Sequence, residues 1–290
     1  MSSQYAEKLN SLGFYEASPK PTAEELSEHY RNKYYQQPQG TFAPAYTEEE
    51  LAYFHNVAKV AAETSTALRV ERTLLDLGCG EGYFAKAFKT FGWDVSCCDY
   101  SEYGIKKHNE DLLPFFSAGD IYESIARYKE QHKRFGLINL QNVLEHVMDP
   151  VEILTEIKHI LGDGSSLRIR VPNDYSDFQL ELVKRGCTKN TWFAPPEHLS
   201  YFNNDGLTNL LTHCGYKIRS LQADFPIELF LANPHSNYWQ DRALGKGAHL
   251  TRVFCENFLI GKDINAYIEY SEAAAKLGFG RELIAYASPI

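Results

Sequence analysis

The sequence lacks several features that would assign it to familiar classes. Its six cysteines form no Cys-x-x-Cys pair and no Cys/His spacing of a metal site, which excludes a zinc ribbon and favours reduced thiols. No apolar run approaches the roughly 18 residues of a membrane span. There is no cluster of lysine and arginine, and the net charge of −9 disfavours a nucleic-acid partner. The opening residues, MSSQYAEKLN, lack the apolar stretch of a secretion signal, so we expect a cytoplasmic protein that binds no membrane.

Strand and helix patterns alternate regularly from residue 72 onward. Hydrophobic residues make up 44% of the 290 residues, enough for one large α/β domain with additions. Strands are predicted at 73–77, 94–98, 115–120, 136–143, 166–173, 217–223 and 281–288, and helical patterns lie between most of them. This alternation predicts an α/β fold with a doubly wound, mostly parallel seven-stranded sheet, as in Rossmann-like proteins.

Four segments are predicted along the chain. Residues 1–68 contain two helical patterns and are predicted to form an N-terminal helical cap. Residues 69–225 form the core, and residues 280–290 supply its last strand, which we expect at a sheet edge. Residues 226–279 are predicted to be a helical insertion that serves as a lid or a homodimer contact. Its aromatic surface would come from Phe225, at the boundary, and from Phe230, Tyr238 and Trp239.

The stretch 74–88, LLDLGCGEGYFAKAF, places three glycines in five positions between a strand and a helix. Such a turn lets backbone N–H groups approach a ligand at the carboxyl end of the strands. Asp99 ends the next strand, where a ribose-binding carboxylate belongs. The spacing is G-x-G-x-G rather than the G-x-G-x-x-G of dinucleotide sites, and Asp76 is better placed for an ammonium group than for a pyrophosphate. A ligand with a ribose, an amine and no phosphate fits best, which favours S-adenosylmethionine over NAD.

The motifs resemble those of class I S-adenosylmethionine-dependent methyltransferases, in order and spacing, over about residues 72–220. The glycine stretch resembles their first motif, VSCCDYSEYGI the second and AGDIYE the third. FGLINLQNVLEHVMDP resembles the fourth-strand motif of the subgroup that methylates small molecules. The resemblance therefore implies a methyltransferase that acts on a small-molecule acceptor.

The resemblance also implies a role for each matching position. The methionine part would be held by Asp76, Gly78, Cys79, Gly80 and Gly82. The ribose would be held by Asp99, with Tyr100 and Ser101 beside it. Asp120 and Ile121 would contact the adenine, and Asn142 and Val143 would line the pocket under the sulfonium. For four of these positions a simpler interpretation is open. Asp120 can be a helix cap, Cys79 can be a small residue that fills space, Tyr100 can be a surface ring, and Asp99 can be a charge at the end of its strand.

Two histidines are candidate catalytic bases. Methyl transfer is an in-line displacement in which alignment supplies much of the acceleration, and a base is needed only for a weakly acidic or protonated acceptor. His146 follows the fourth strand, and His198 lies in an aromatic loop after the fifth. Each can instead orient its neighbours. No metal is expected, because the chain lacks the acidic triplet of a catechol-type enzyme, and the tyrosine-rich residues 30–46 are expected to cover the cofactor.

The acceptor stays open at this point. The leading hypothesis is methyl transfer to an oxygen of a sugar or sugar nucleotide in a surface-polysaccharide pathway. O-methylation of a phenol or quinone precursor is the alternative. A non-catalytic protein that binds S-adenosylmethionine is a third.

Overall fold

Two sheets organise the chain in the computed structural model, which describes residues 4–22, 24–26 and 45–290. The strands, numbered in chain order, are β1 Ala6–Leu9, β2 Tyr15–Ser18, β3 Thr73–Leu77, β4 Asp94–Asp99, β5 Phe116–Ala118, β6 Phe135–Gln141, β7 Leu161–Pro172, β8 Ser200–Tyr201, β9 Tyr216–Ala223 and β10 Glu282–Pro289. The larger sheet has seven strands in the order β5-β4-β3-β6-β7-β10-β9. The first five strands in this order, from β5 to β7, each run parallel to their neighbours. This confirms the predicted mostly parallel, doubly wound sheet.

The position of the last strand corrects a prediction. Strand β10 does not lie at an edge: it is inserted between β7 and β9 and runs antiparallel to both. Its residues Leu283 to Ala287 are all buried. A continuous apolar run such as LIAYA is typical of a strand covered on both faces, but it does not specify which strands lie beside it in the sheet.

Helices cover both faces of the large sheet. They are α1 Glu48–Ala67, α2 Tyr83–Thr90, α3 Tyr103–His108, α4 Ile121–Glu130, α5 Pro150–Ile157, α6 Asp177–Lys184, α7 Asn204–His213, α8 Gly245–Lys262 and α9 Ile264–Lys276. Helix α1 begins with a capping box, in which Thr47 and Glu50 each accept a hydrogen bond from the other's backbone N–H. Helix α8 of the insertion packs against α1, where Asn56 donates to Asn257 over 2.9 Å.

The N-terminal segment differs from its prediction as a purely helical cap. Strands β1 and β2 form an antiparallel hairpin, and β2 pairs with β8 in a small second sheet. The hairpin was missed because β1 is exposed along its whole length, so burial imposes no alternation of apolar and polar residues. Thr22 accepts a hydrogen bond from the backbone N–H of Glu25, as predicted for a helix start. Most of the tyrosine-rich segment, residues 30–44, lies outside the described residues.

Alternation within the strands divides the core between the two faces of the sheet. Leu75 on β3 packs in one cluster with Ile125 of α4 and Ile153 of α5. Its neighbour Leu74 packs on the opposite face with Ala58 of α1 and Phe88 of α2. Two buried layers therefore hold the sheet between helices, and they leave the carboxyl ends of the parallel strands for a site.

Candidate active site

The loop between β3 and α2 is a tight turn built on glycine. Gly78, Gly80 and Gly82 have φ angles of 77°, 56° and 79°, in the left-handed region that favours glycine. The N–H groups of Gly78 and Cys79 both donate to the carbonyl of Cys98 on the neighbouring strand, over 2.9 and 3.0 Å. These bonds anchor the start of the loop to the sheet, so the remainder of the loop is presented at the carboxyl end of β3.

Asp99 links this loop to the end of β4. One carboxylate oxygen accepts from the N–H of Gly80 at 2.8 Å, and the other accepts from the N–H of Ser101 at 3.2 Å. Burial raises the pKa of Asp99, while these backbone hydrogen bonds lower it. Asp99 is therefore held rigidly against the loop, at the position expected of a carboxylate that binds a ribose. Tyr100 beside it is half exposed.

Asp76 is a buried carboxyl with one oxygen that makes no hydrogen bond within the described chain. Its Oδ1 accepts from the amide of Asn139 at 2.7 Å, and its Oδ2 is the oxygen without a partner. Burial raises the pKa of Asp76 to about 6, and Asn139 and Arg168 partly oppose that shift. A buried carboxylate oxygen of this kind calls for a donor from outside the protein, and an ammonium group provides one.

A cavity of about 550 Å³ opens over the loop and is large enough for a cofactor with a small acceptor. The predicted residues that line it are Asp76, Gly78, Cys79, Gly80, Gly82 and Asn142. A Cβ atom on Gly80 would meet nothing within 4 Å, so the loop leaves open space there for a ligand. The open cradle and the unpartnered oxygen of Asp76 both fit the predicted cofactor.

The other predicted cofactor residues are not among those that line this cavity; they are Asp99, Tyr100, Ser101, Asp120, Ile121 and Val143. Asn142 has a left-handed backbone, with a φ of 54°, and its neighbour Val143 packs over Gly78. Asp120 caps α4 by accepting from the N–H of Tyr122 at 2.7 Å, which is the simpler role considered for it. Ile121 packs partly buried against the main core. Their contacts with a cofactor stay predictions.

The two histidines proposed as bases come together but do not line this cavity. The ring centroids of His146 and His198 are 4.8 Å apart in an edge-to-face arrangement. Buried Glu145 lies beside them. Each of the three residues offers one atom that could bind a metal ion, and these three atoms all lie within 4.8 Å of one another. Burial raises the pKa of Glu145 well above its usual range. The absence of a metal stays a prediction, and metal analysis of the purified protein checks it.

Sequence reasoning missed the far wall of the cavity. His249 and Arg252 come from α8, and Arg281 directly precedes β10. Nε2 of His249 lies 3.0 Å from Glu50, and its Nδ1 lies 3.3 Å from the guanidinium of Arg252. These residues lie in or after the helical insertion, far along the chain from the motifs, so no spacing signal connects them with the loop.

The family model of a methyltransferase domain matches residues 45–221, which include the glycine loop, Asp99 and the fourth-strand motif. The chain belongs to this methyltransferase family. It is an S-adenosylmethionine-dependent enzyme of the class I fold, as its motifs predict. The match ends before the helical insertion, so the family does not account for His249, Arg252 or Arg281.

Two curated relatives of the methyltransferase carry the name ubiquinone biosynthesis O-methyltransferase. The one from Nitrosomonas europaea is 24% identical over 181 residues, which cover 56% of this chain and 77% of the relative. The one from Thiobacillus denitrificans is 28% identical over 180 residues, with the same shares. Among solved structures, the CcbJ methyltransferase from Streptomyces caelestis has a TM-score of 0.53 at 13% identity, covers 90% of this chain and 97% of its own, and shares the fold. None of the helices in the described ranges combines the length and apolar character needed to cross a bilayer.

Proposed function

We propose that the methyltransferase transfers a methyl group to a hydroxyl oxygen of a polar small molecule, most directly a phenolic hydroxyl of the quinone-precursor type. The observation that carries this proposal is the cavity that runs from the glycine loop to a wall of charged and hydrogen-bonding side chains. The names of the two relatives support oxygen as the acceptor atom and a quinone precursor as the acceptor class.

The hydrogen bonds of His249 support a phenol over an alcohol. Because a guanidinium only donates, Nδ1 of His249 accepts from Arg252 and Nε2 carries the proton toward Glu50. Both nitrogens are thus engaged, and His249 is not placed to remove a proton from an acceptor. An acceptor hydroxyl that ionises readily needs such help least, and a phenol with a pKa near 10 ionises far more readily than an alcohol.

The chain's own contribution is binding and alignment. S-adenosylmethionine supplies, when bound, a methyl group on a sulfonium that is already a good leaving group. Asp99 would hold the ribose, the loop would hold the methionine part, and Asp76 would pair with its ammonium group. The α1 residues Tyr53 and Phe54 line the cavity beside the loop and would limit how an acceptor enters.

A sugar or sugar-nucleotide hydroxyl is the second candidate acceptor. It is favoured by the polar wall of the cavity, where arginine, histidine and glutamate side chains can hydrogen-bond to several hydroxyl groups. A sugar hydroxyl would then need a base, and the two predicted bases, His146 and His198, do not line the cavity. A role in a surface-polysaccharide pathway would follow only if the acceptor is a sugar or a sugar nucleotide.

A two-step experiment tests the proposed function. Calorimetric titration with S-adenosylmethionine and with S-adenosylhomocysteine should show micromolar binding of both. S-adenosylhomocysteine release is then measured with catechols, other phenols, sugars and sugar nucleotides. Release with phenols alone supports the leading proposal, and release with sugars alone replaces it with the second. Binding without turnover with any acceptor or a cell extract would identify a non-catalytic binding protein.

Cofactor affinity is expected to depend on pH through Asp76. The carboxyl has a pKa of about 6 and must be ionised to pair with an ammonium group. Affinity for S-adenosylhomocysteine should therefore rise with pH up to about 6, by up to about tenfold per unit, and level off above that value. Calorimetry at several pH values measures this. Asp76→Asn should bind more weakly with a flat profile, and an unchanged pH profile in Asp76→Asn would contradict the assignment.

A further inference from the structure

Three arginines meet at the cavity wall opposite the glycine loop. Arg170 lies on β7, Arg252 on α8 and Arg281 just before β10, and all three line the cavity. Their side chains are 7%, 16% and 31% exposed, respectively. Placing three guanidinium groups in one partly closed space is electrostatically costly without anions to balance them.

Carboxylates pair with each of these arginines. Arg170 pairs with Glu282 and lies 3.1 Å from Asp224. Arg281 uses Nη1 alone for both of its carboxylates, at 2.9 Å from Asp174 and 3.4 Å from Glu228. These bonds fix where the guanidinium groups sit, so the wall is rigid before any acceptor arrives.

Arg281 keeps its bidentate edge available. Within the described residues its Nε and Nη2 make no hydrogen bond to protein, because both carboxylates bind Nη1. Nε and Nη2 form the fork that matches the two oxygens of a carboxylate or a phosphate. Arg252 lies on the same wall, where its Nη1 donates to Tyr53 over 3.0 Å.

The charge of the wall differs from that of the loop. Asp76 and Glu81 line the loop end, whereas Glu282 is the acidic residue among the three arginines and His249 at the other end.

From this arrangement we propose that the acceptor carries an anionic group, a carboxylate or a phosphate, which Arg281 binds through its free edge with help from Arg252. The inference rests on the proposed function, because it places the acceptor at the wall that faces the cofactor loop. Both arginines lie outside the family match, so they would give this chain a specificity of its own. The anionic group would anchor the molecule at the wall and leave its hydroxyl directed to the loop.

Matched pairs of probes test the subsite by calorimetry on protein saturated with S-adenosylhomocysteine. The first pair is 3,4-dihydroxybenzoate and catechol, which differ by a carboxylate. The second is glucose 6-phosphate and glucose, which differ by a phosphate. At least one anionic probe should bind about tenfold to a hundredfold more tightly than its neutral partner, and the pair that shows the difference identifies the anion. Equal affinities in both pairs, or no anionic binding at about 10 mM, would overturn the proposal.

Variants distinguish specific binding of the anionic group by Arg281 and Arg252 from nonspecific electrostatic attraction of an anion to the protein. Arg281→Gln and Arg252→Gln should each remove most of the preference for the anionic probe, and Arg281→Lys should restore only part of it, because lysine keeps the charge but lacks the fork. Arg185→Gln, at the exposed residue that follows α6, is the matched control and should change nothing. S-adenosylhomocysteine binding is measured for every variant. If it persists while Arg281→Gln and Arg252→Gln both keep the preference, the subsite is wrong and the proposed function stands. If the wild-type chain binds no S-adenosylhomocysteine, both fail.

Discussion

Replacing Asp99 by alanine is expected to weaken the binding of S-adenosylmethionine and S-adenosylhomocysteine by at least about a hundredfold. The carboxylate would accept from both ribose hydroxyls, and charge-assisted hydrogen bonds contribute about 1.5–3 kcal/mol each. The same side chain holds the N–H of Gly80, so its loss also frees the loop. Calorimetric titration measures the change, and a loss of less than about twofold would show that the ribose site lies elsewhere.

Two further variants separate charge from position at this site. Asp99→Asn keeps the shape of the side chain but removes its charge, and it should bind the cofactor with intermediate affinity. Asp94→Ala lies at the exposed start of the same strand and serves as the control. It should leave cofactor affinity unchanged. An equal loss in Asp94→Ala would point to damage to β4 rather than to a lost ribose contact.

Gly78→Ala is expected to have a comparably large effect for a different reason. A Cβ atom at this position would lie 2.4 Å from Cγ2 of Val143, and the φ of 77° is already unfavourable for alanine. The left-handed backbone costs about 1–2 kcal/mol and the overpacking about 1–3 kcal/mol more, so the loop must move away from Val143. We expect loss of measurable cofactor binding and a lower free energy of unfolding, measured by denaturant titration.

Gly92→Ala supplies the control for this prediction. Gly92 has a φ of 79°, and a Cβ atom there would meet nothing within 4 Å. The free energy of unfolding of Gly92→Ala should fall only by the cost of the left-handed backbone, about 1–2 kcal/mol, and the variant should bind the cofactor normally. If Gly78→Ala were no less stable than Gly92→Ala and bound the cofactor as well, the close approach of Val143 would have no consequence.

The central fold was predictable because its signals are local. The run TLLDL, the capping residue Thr47 and the start of α5 at Asp149 and Pro150 are each specified within a few residues. The hairpin at residues 6–18 has short, exposed strands, so no hydrophobic pattern announces it. The place of β10 in the sheet depends on pairing with residues more than 100 positions away, and no local pattern encodes such pairing.

The candidate site divides in the same way. The glycine loop and Asp99 were predictable because a ligand imposes short, fixed spacings on a turn and on the next strand. The arginines of the wall could not be selected from sequence, because a lone arginine in a helix such as α8 resembles any surface arginine. Only the packing of the insertion against α1 brings Arg252 into contact with Tyr53.

The central position of β10 has a consequence for the order in which the protein can be assembled. During synthesis β10 is made after the other six strands of its sheet, yet it is the strand that joins β9 to β7. Until it emerges from the ribosome, β7 and β9 each present an unpaired edge, and such edges promote aggregation. A chain interrupted between residues 224 and 281 would therefore contain every motif of the cofactor loop and still be prone to associate with other chains.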